Sequence, residues 1–308
     1  DFVQIELDPS QSNIQLSDGG GGSFTATPTY VYDVFISVPS PAPGDFVGRV
    51  TFSDNASPLP KDRYYFDYNY FHNARFGPAK GPVNRFTPGF EKTFLDGAMS
   101  VEIRVPMAVT LSSTLNTSGG DVLDFELGDV GLALKALLYE TDTTYYTAGL
   151  GITLPTADDF RLNLGDGTPL IGIDNETVRL QPYLAVLWAP NDTWFAQAFS
   201  SLDLDTNGNP VLYNATGFQA GTGGQLSNVG RLQATNLYRL NGSLGAWLAR
   251  DQQNATITDL AVSAEAHLTT GIGHSDVVEV DNLRIGNGGR STVLNLVIGS
   301  HMYFGKET

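Results

Sequence analysis

Twelve charged residues fall on the polar phase of alternating stretches: Arg63, Asp67, Arg85, Glu91, Glu102, Arg104, Asp129, Lys135, Arg179, Arg239, Asp259 and Glu265. Charges carried at every second position of extended chain share one face of a sheet. On the inside of a barrel such a face does one of two things. It lines a pore and sets ion selectivity, or it pairs between strands and fills a narrow interior. A second set, Asp203, Asp205 and Asn207 followed by Gly208, matches the opening D-x-D-x-N-G of a calcium loop. The twelfth position of that loop is Asn214 rather than Glu, and no helical pattern flanks it, so the same residues also read as a strand end and an Asn-Gly turn. Calcium is the only cofactor the sequence suggests. The histidines His72, His267, His274 and His301 have no metal-ligand spacing and read as solvated or hydrogen-bonded groups; His267 and His301 share the polar phase of their strands. There is no G-x-S-x-G elbow, and the glycine clusters at 221–224 and 286–289 lack the Lys-Ser/Thr of a phosphate loop. With zero cysteines, thiolate metal sites, disulfides and cysteine nucleophiles are excluded. No enzymatic chemistry is expected.

These charges must be positioned by strands. Residues 62–73 (DRYYFDYNYFHN) place Tyr64, Phe66, Tyr68 and Tyr70 on one face; Arg63, Asp67, Asn69 and Asn73 fall on the other, with Tyr65 and Phe71 among them. The pattern repeats. Met99, Val101, Ile103, Val105 and Met107 oppose Ser100, Glu102 and Arg104; Leu260, Val262, Ala264, Ala266 and Leu268 oppose Ser263, Glu265 and His267. Strands are expected near 46–53, 62–73, 85–95, 98–110, 127–140, 143–155, 177–189, 193–204, 235–250, 255–271 and 291–304, with one phase slip between Leu127 and Val130. Several reach the roughly 9–11 residues a tilted strand needs to cross a bilayer. Short turns alternate with longer connections at 74–84, 111–126, 156–176, 205–234 and 272–290, as in an up-and-down barrel. Trp188 and Trp194 flank the short turn at 190–192, where an interfacial aromatic girdle would lie. Barrels of this type have even strand numbers. The unassigned stave is therefore expected at 30–38 or beyond Thr308.

Composition narrows the classes. Charged residues make up 16% of 308, below the average of roughly 25%. The net charge of −16 argues against nucleic acid, which requires a basic footprint. No run of about 18 apolar residues suggests a membrane-spanning helix. Seven Asn-x-Ser/Thr sequons, at Asn55, Asn116, Asn175, Asn191, Asn214, Asn241 and Asn254, read as chance occurrences in an Asn-, Ser- and Thr-rich chain. Residues 1–45, with the glycines at 19–22 and PSPAP at 39–43, read as a lead-in or linker, a plug or a first strand; 46–308 read as the barrel. The polar start at Asp1 suggests a mature or trimmed form, and the GKET end suggests truncation before a final strand.

Residues 49–74 (RVTFSDNASPLPKDRYYFDYNYFHNA) resemble a signature of outer-membrane β-barrel proteins of planctomycetes and related bacteria. GLGITLPTADD at 149–159 is similar to the GxGxxLPTG strand end of outer-membrane proteins grouped with the MetA-pathway phenol-degradation family, although Ala157 and Asp158 stand where that pattern has Gly. STVLNLVIGSHMYFGKE at 291–307 resembles a late barrel strand of the same group. The resemblance implies a bacterial outer-membrane channel or passive transporter for small or hydrophobic molecules, and it brings no catalytic residues. The expectation is thus an all-β, up-and-down antiparallel transmembrane barrel of about 12 strands, with outer-membrane lipid and small-molecule solutes as its partners and oligomeric state left open. The alternative is a secreted or surface β-sandwich that binds glycans or a protein partner, with the aromatic faces as core.

Overall fold

The computed structural model describes residues 2–7, 36–39, 57–76, 79–109, 113–116, 125–216, 224–250, 257–280, 283–286, 290 and 292–304. Among them are strands and no helix. In chain order these are β1 (Phe2–Leu7), β2 (Ile36–Pro39), β3 (Arg63–Phe76), β4 (Ala79–Phe94), β5 (Met99–Arg104), β6 (Met107–Val109) and β7 (Thr114–Asn116). Next come β8 (Phe125–Leu127), β9 (Val130–Glu140), β10 (Thr144–Leu154), β11 (Phe160–Asn163), β12 (Pro169–Ile173), β13 (Arg179–Trp188) and β14 (Trp194–Asp205). The last are β15 (Asn209–Tyr213), β16 (Ser227–Leu232), β17 (Asn236–Ala249), β18 (Ile257–Ile272), β19 (Val278–Val280), β20 (Leu283–Ile285) and β21 (Thr292–Phe304).

Twelve of these strands form one antiparallel sheet, β3-β4-β5/β6-β8/β9-β10-β13-β14-β17-β18-β21. It runs as ten staves, because β5 and β6 are one stave interrupted, and so are β8 and β9. Pro106 explains the first break: it has no N–H to give the ladder. Pairing continues around it, with the Val105 amide donating to Pro88 O at 3.1 Å and the Gly128 amide to Pro106 O at 2.8 Å. The second break is the phase slip expected between Leu127 and Val130. The uninterrupted staves are 10 to 16 residues long.

Tight turns join the staves at one end. At 95–98 the Ala98 amide donates to Leu95 O at 3.0 Å, and Leu95, Asp96 and Gly97 all have positive φ. Thr141–Thr144 and Asn191–Trp194 are closed by Thr141 Oγ1 and Asn191 Oδ1, which accept from backbone amides. Inter-strand pairing is staggered. The paired row Thr93, Ser100, Lys135, Gly149, Tyr183, Ser201, Arg239, Thr269, Val293 begins beside a tight turn and ends beside the opposite, long-connection end of β21.

The long connections fold differently from expectation. Instead of bare loops, 111–126, 156–176, 205–234 and 272–290 carry strands of two further sheets, β16-β15-β12-β11-β7 and β19-β20-β1-β2. Both sheets are built from the same end of the main sheet and form a cap. Its core is ordinary: Phe160, Leu162, Leu170, Ile171, Ile173, Val211, Tyr213, Leu232, Leu283 and Ile285 are buried together. Segment 74–84 is not a loop either; β3 and β4 run through it as a long hairpin. Ile36–Pro39, which overlaps the end of the stretch 30–38 considered as a missing stave, joins the cap by pairing with β1. The strand expected at 46–53 lies outside the described residues.

Candidate functional site

The main sheet buries its polar face. Along β13, Arg179, Gln181 and Tyr183 are buried while Leu184 is 61% exposed. Arg85, Glu91, Glu102, Arg104, Lys135 and Arg239 are likewise buried, each from its strand's polar phase. Charged side chains remain buried as ions only if they are paired.

The densest group lies near the tight-turn end. Glu91 accepts from Arg63 Nε at 2.7 Å, Lys135 Nζ at 2.8 Å and Ser100 Oγ at 2.6 Å. Glu102 accepts from Arg104 Nε at 2.5 Å and from the Tyr65 hydroxyl. Its second oxygen is 3.7 Å from Arg63. The guanidinium groups of Arg63 and Arg104 lie 4.6 and 5.6 Å from the centre of the Tyr65 ring. Tyr65 can occupy this position because its cross-strand partner is Gly89, where a Cβ would meet the ring at 2.1 Å. The Tyr183–Gly149 and Phe195–Gly245 pairs repeat the arrangement, at 2.2 and 2.1 Å. In each, a glycine makes room for a ring lying over the adjacent strand.

Two further groups follow. Arg239 pairs with Asp203 at 3.0 Å. Across β17, β18 and β21 a chain of contacts runs from Asn241 Oδ1 to His267 (3.0 Å), Glu265 (3.1 Å), Ser263 (3.2 Å) and His301 (3.3 Å).

Among the residues expected to face the interior, Arg63, Arg85, Glu91, Glu102, Arg104, Lys135, Arg179, Arg239 and Glu265 fall on the buried or half-buried face of the main sheet. Asp67 and Asp259 share its phase and are half-buried. Asp129 does not belong there. It lies between β8 and β9 and accepts from the amides of Thr156 and Ala157, each at 3.0 Å, and from Asn175 Nδ2 at 2.8 Å. It ties the cap to the staves, because a strand-end carboxylate is the nearest acceptor for amides of the incoming chain.

The carboxylates of the calcium-like motif are engaged elsewhere. Asp203 faces Arg239, and Asp205 accepts from the Asn207, Gly208 and Ala234 amides at 3.2, 2.8 and 2.9 Å. Gly208, with φ 65°, completes an Asx turn. Among the described residues no group of three or more His, Cys, Asp and Glu is placed to hold a metal ion. Two sequons are committed to structure: Asn175 Nδ2 donates to Asp129 and Asn214 Nδ2 to Pro169 O.

Sequence reasoning placed Ser100 on the polar face without a role, and missed Tyr183 and the role of Asp203 as the partner of Arg239. Phase alone could have found Tyr183, which shares a face with Gln181. The pairing of Asp203 with Arg239 depends on cross-strand register, which no local pattern carries.

The opposite face is apolar and open. Tyr64, Phe66, Val101, Leu134, Leu184, Leu244, Leu248, Leu296 and Ile298 are all exposed. Near the tight turns the exposed set becomes aromatic, with Trp188, Trp194, Tyr139 and Tyr146. Comparison of the chain with protein-family models and with curated proteins gives no match.

Proposed function

We propose that the main sheet closes edge to edge into a ten-staved barrel in a bacterial outer membrane and works as a narrow channel or passive transporter for small solutes. The observation that carries this reading is the inversion of burial: one sheet exposes Leu184 and Leu134 while burying Glu91 and Arg104. In water that arrangement is unfavourable on both faces. In lipid the apolar face is solvated by hydrocarbon and the charges are kept from it. A soluble sandwich would set that apolar face against a second sheet.

Four further features support it. The uninterrupted staves, 10 to 16 residues long, reach or exceed the roughly 9–11 residues a tilted strand needs. Their number is even, and β3 and β21, the two edges, run antiparallel to each other, as closure requires. The stagger of the paired row is in keeping with the shear that closing a sheet would impose. Trp188, Trp194, Tyr139 and Tyr146 are exposed beside the tight turns, where a membrane interface would lie, and a further aromatic row from Tyr64 to Tyr70 runs along β3. The inner charges then line or constrict the conduit, and the reading includes no covalent chemistry.

The test is outer-membrane fractionation with gel mobility before and after boiling, followed by conductance in planar bilayers. A heat-modifiable, membrane-bound protein that passes ions is expected. A protein that stays monodisperse in buffer without detergent rules the reading out. Closure is tested separately. The chain has no cysteine, so Tyr68→Cys paired in turn with Leu294→Cys, Leu296→Cys or Ile298→Cys should give an intramolecular disulfide in one register. If none forms, the edges are apart.

A further inference from the structure

Residues 57–62, Ser-Pro-Leu-Pro-Lys-Asp, precede β3 and lie against the charged group at the tight-turn end. Lys135 Nζ, itself buried, donates to Ser57 O at 2.8 Å and points to Leu59 O at 3.5 Å, while its third direction is taken by Glu91. The Lys61 amide approaches Glu91 Oε1 at 3.4 Å, and Pro58 is buried. Pro58 and Pro60 have no N–H, so this stretch offers carbonyls and cannot extend the sheet as an ordinary strand. At its far end Asp62 accepts from Lys92 and from the Thr93 amide and hydroxyl, at 2.7 and 2.5 Å for the latter two. The strap is therefore pinned at Asp62 and latched at Ser57.

The charge count identifies Lys135 as the latch. Arg63 and Arg104 already match Glu91 and Glu102 in this group, each with a contact of 2.7 Å or less. Lys135 is the third cation beside two carboxylates. A buried ammonium needs all its protons satisfied, and here the strap carbonyls complete the set.

We infer that residues 57–62 are a built-in stopper of the tight-turn mouth, held shut by Lys135 and opened by swinging about Asp62. The inference rests on the channel reading above. It predicts that Lys135→Met, or the milder Lys135→Gln, frees the strap while the Arg63–Glu91 and Arg104–Glu102 pairs stay in place.

Two measurements on the full reconstituted chain test it. With Leu59→Cys as the sole cysteine, a charged membrane-impermeant maleimide should react roughly tenfold faster in the Lys135 variants than with Lys135 present, as expected when a docked segment opens locally. In planar bilayers the same variants should show a larger mean single-channel current, with heat-modifiable mobility retained as proof of folding. Equal labelling rates overturn the latch. Faster labelling with unchanged current overturns the stopper and leaves the channel standing. If no variant conducts although each is folded and inserted, the channel reading falls, and the stopper with it.

Discussion

β12 and β13 are neighbours in the chain and opposites in the fold. β12 buries Leu170, Ile171 and Ile173 in the cap; β13, a few residues later, buries Arg179 and Gln181 and exposes Leu184. Both are antiparallel strands made by the same backbone hydrogen bonding. The cap obeys the ordinary rule of apolar inside, and the main sheet inverts it. Strand formation therefore does not determine which residues are buried. That depends on what surrounds the sheet: other apolar residues for β12, and in our reading lipid outside and a walled polar interior for β13.

Each way of breaking this contrast has a size. The largest is Glu91→Ala, which leaves Arg63 and Lys135 buried beside a missing carboxylate. Stability should fall by about 3–5 kcal/mol, as when one partner of a buried ion pair is removed. Denaturant titration of the folded band on unboiled gels would read it, and an unchanged midpoint would mean that the group is hydrated. Next is Leu184→Arg, on the outer face. In a bilayer it should cost about 2–4 kcal/mol near the midplane; if that face meets water the change should stay within about 0.5 kcal/mol. Ile171→Arg is its control, since it disrupts the cap core in either solvent. Third, Gly149→Ala drives a Cβ into the Tyr183 ring, and overpacking of this kind costs about 1–3 kcal/mol. Adding Tyr183→Phe should not relieve it, because the ring itself makes the contact, whereas Tyr183→Ala should.

The smallest effect concerns pH. Hydrogen bonds from Lys92 and Thr93 hold the Asp62 carboxyl well below the usual carboxylate range. A depressed carboxylate contributes stability above its unfolded value, near 3.9, and loses it only as pH falls through the lower folded value. Only the thiolate reacts, so the labelling rate of Leu59→Cys is divided by that of a fully exposed cysteine at the same pH, and this ratio should stay flat from neutral pH down to about pH 4. A rise in that ratio between pH 6 and 5, well above the range in which Asp62 titrates, would show that a group other than Asp62 pins the strap.

Much of the main sheet was legible in the sequence. Long alternating stretches such as 99–109 and 260–268 carry four or five residues per face, enough to identify a strand and its phase, and Asp96-Gly97 marks its turn. The slip at Leu127–Val130 was legible for the same reason. The cap was not. β7, β19 and β20 are three residues each, so one face holds one or two side chains and alternation has nothing to repeat. β12 reads as a continuous apolar run because it is buried almost throughout. Asp129 was misplaced because it sits one residue before β9, where phase no longer governs direction. Asp203 was read with Asp205 and Asn207 because they are adjacent in the chain, whereas its partner Arg239 is set by the register of β14 with β17.

By itself the sequence determined that the faces of each stave differ, which residues share a face, where the tight turns fall, and that cysteine chemistry is absent. Only the tertiary structure decided which face is buried, that the long connections fold into a cap, and that residues 57–62 dock on Lys135. The physical reason is symmetry. A period of two is unchanged when inside and outside are exchanged, so local sequence records the contrast between two faces without its sign. The sign comes from long-range pairing, which brings Glu91, Glu102 and Lys135 together from three staves and leaves the aromatic face to whatever solvent surrounds it.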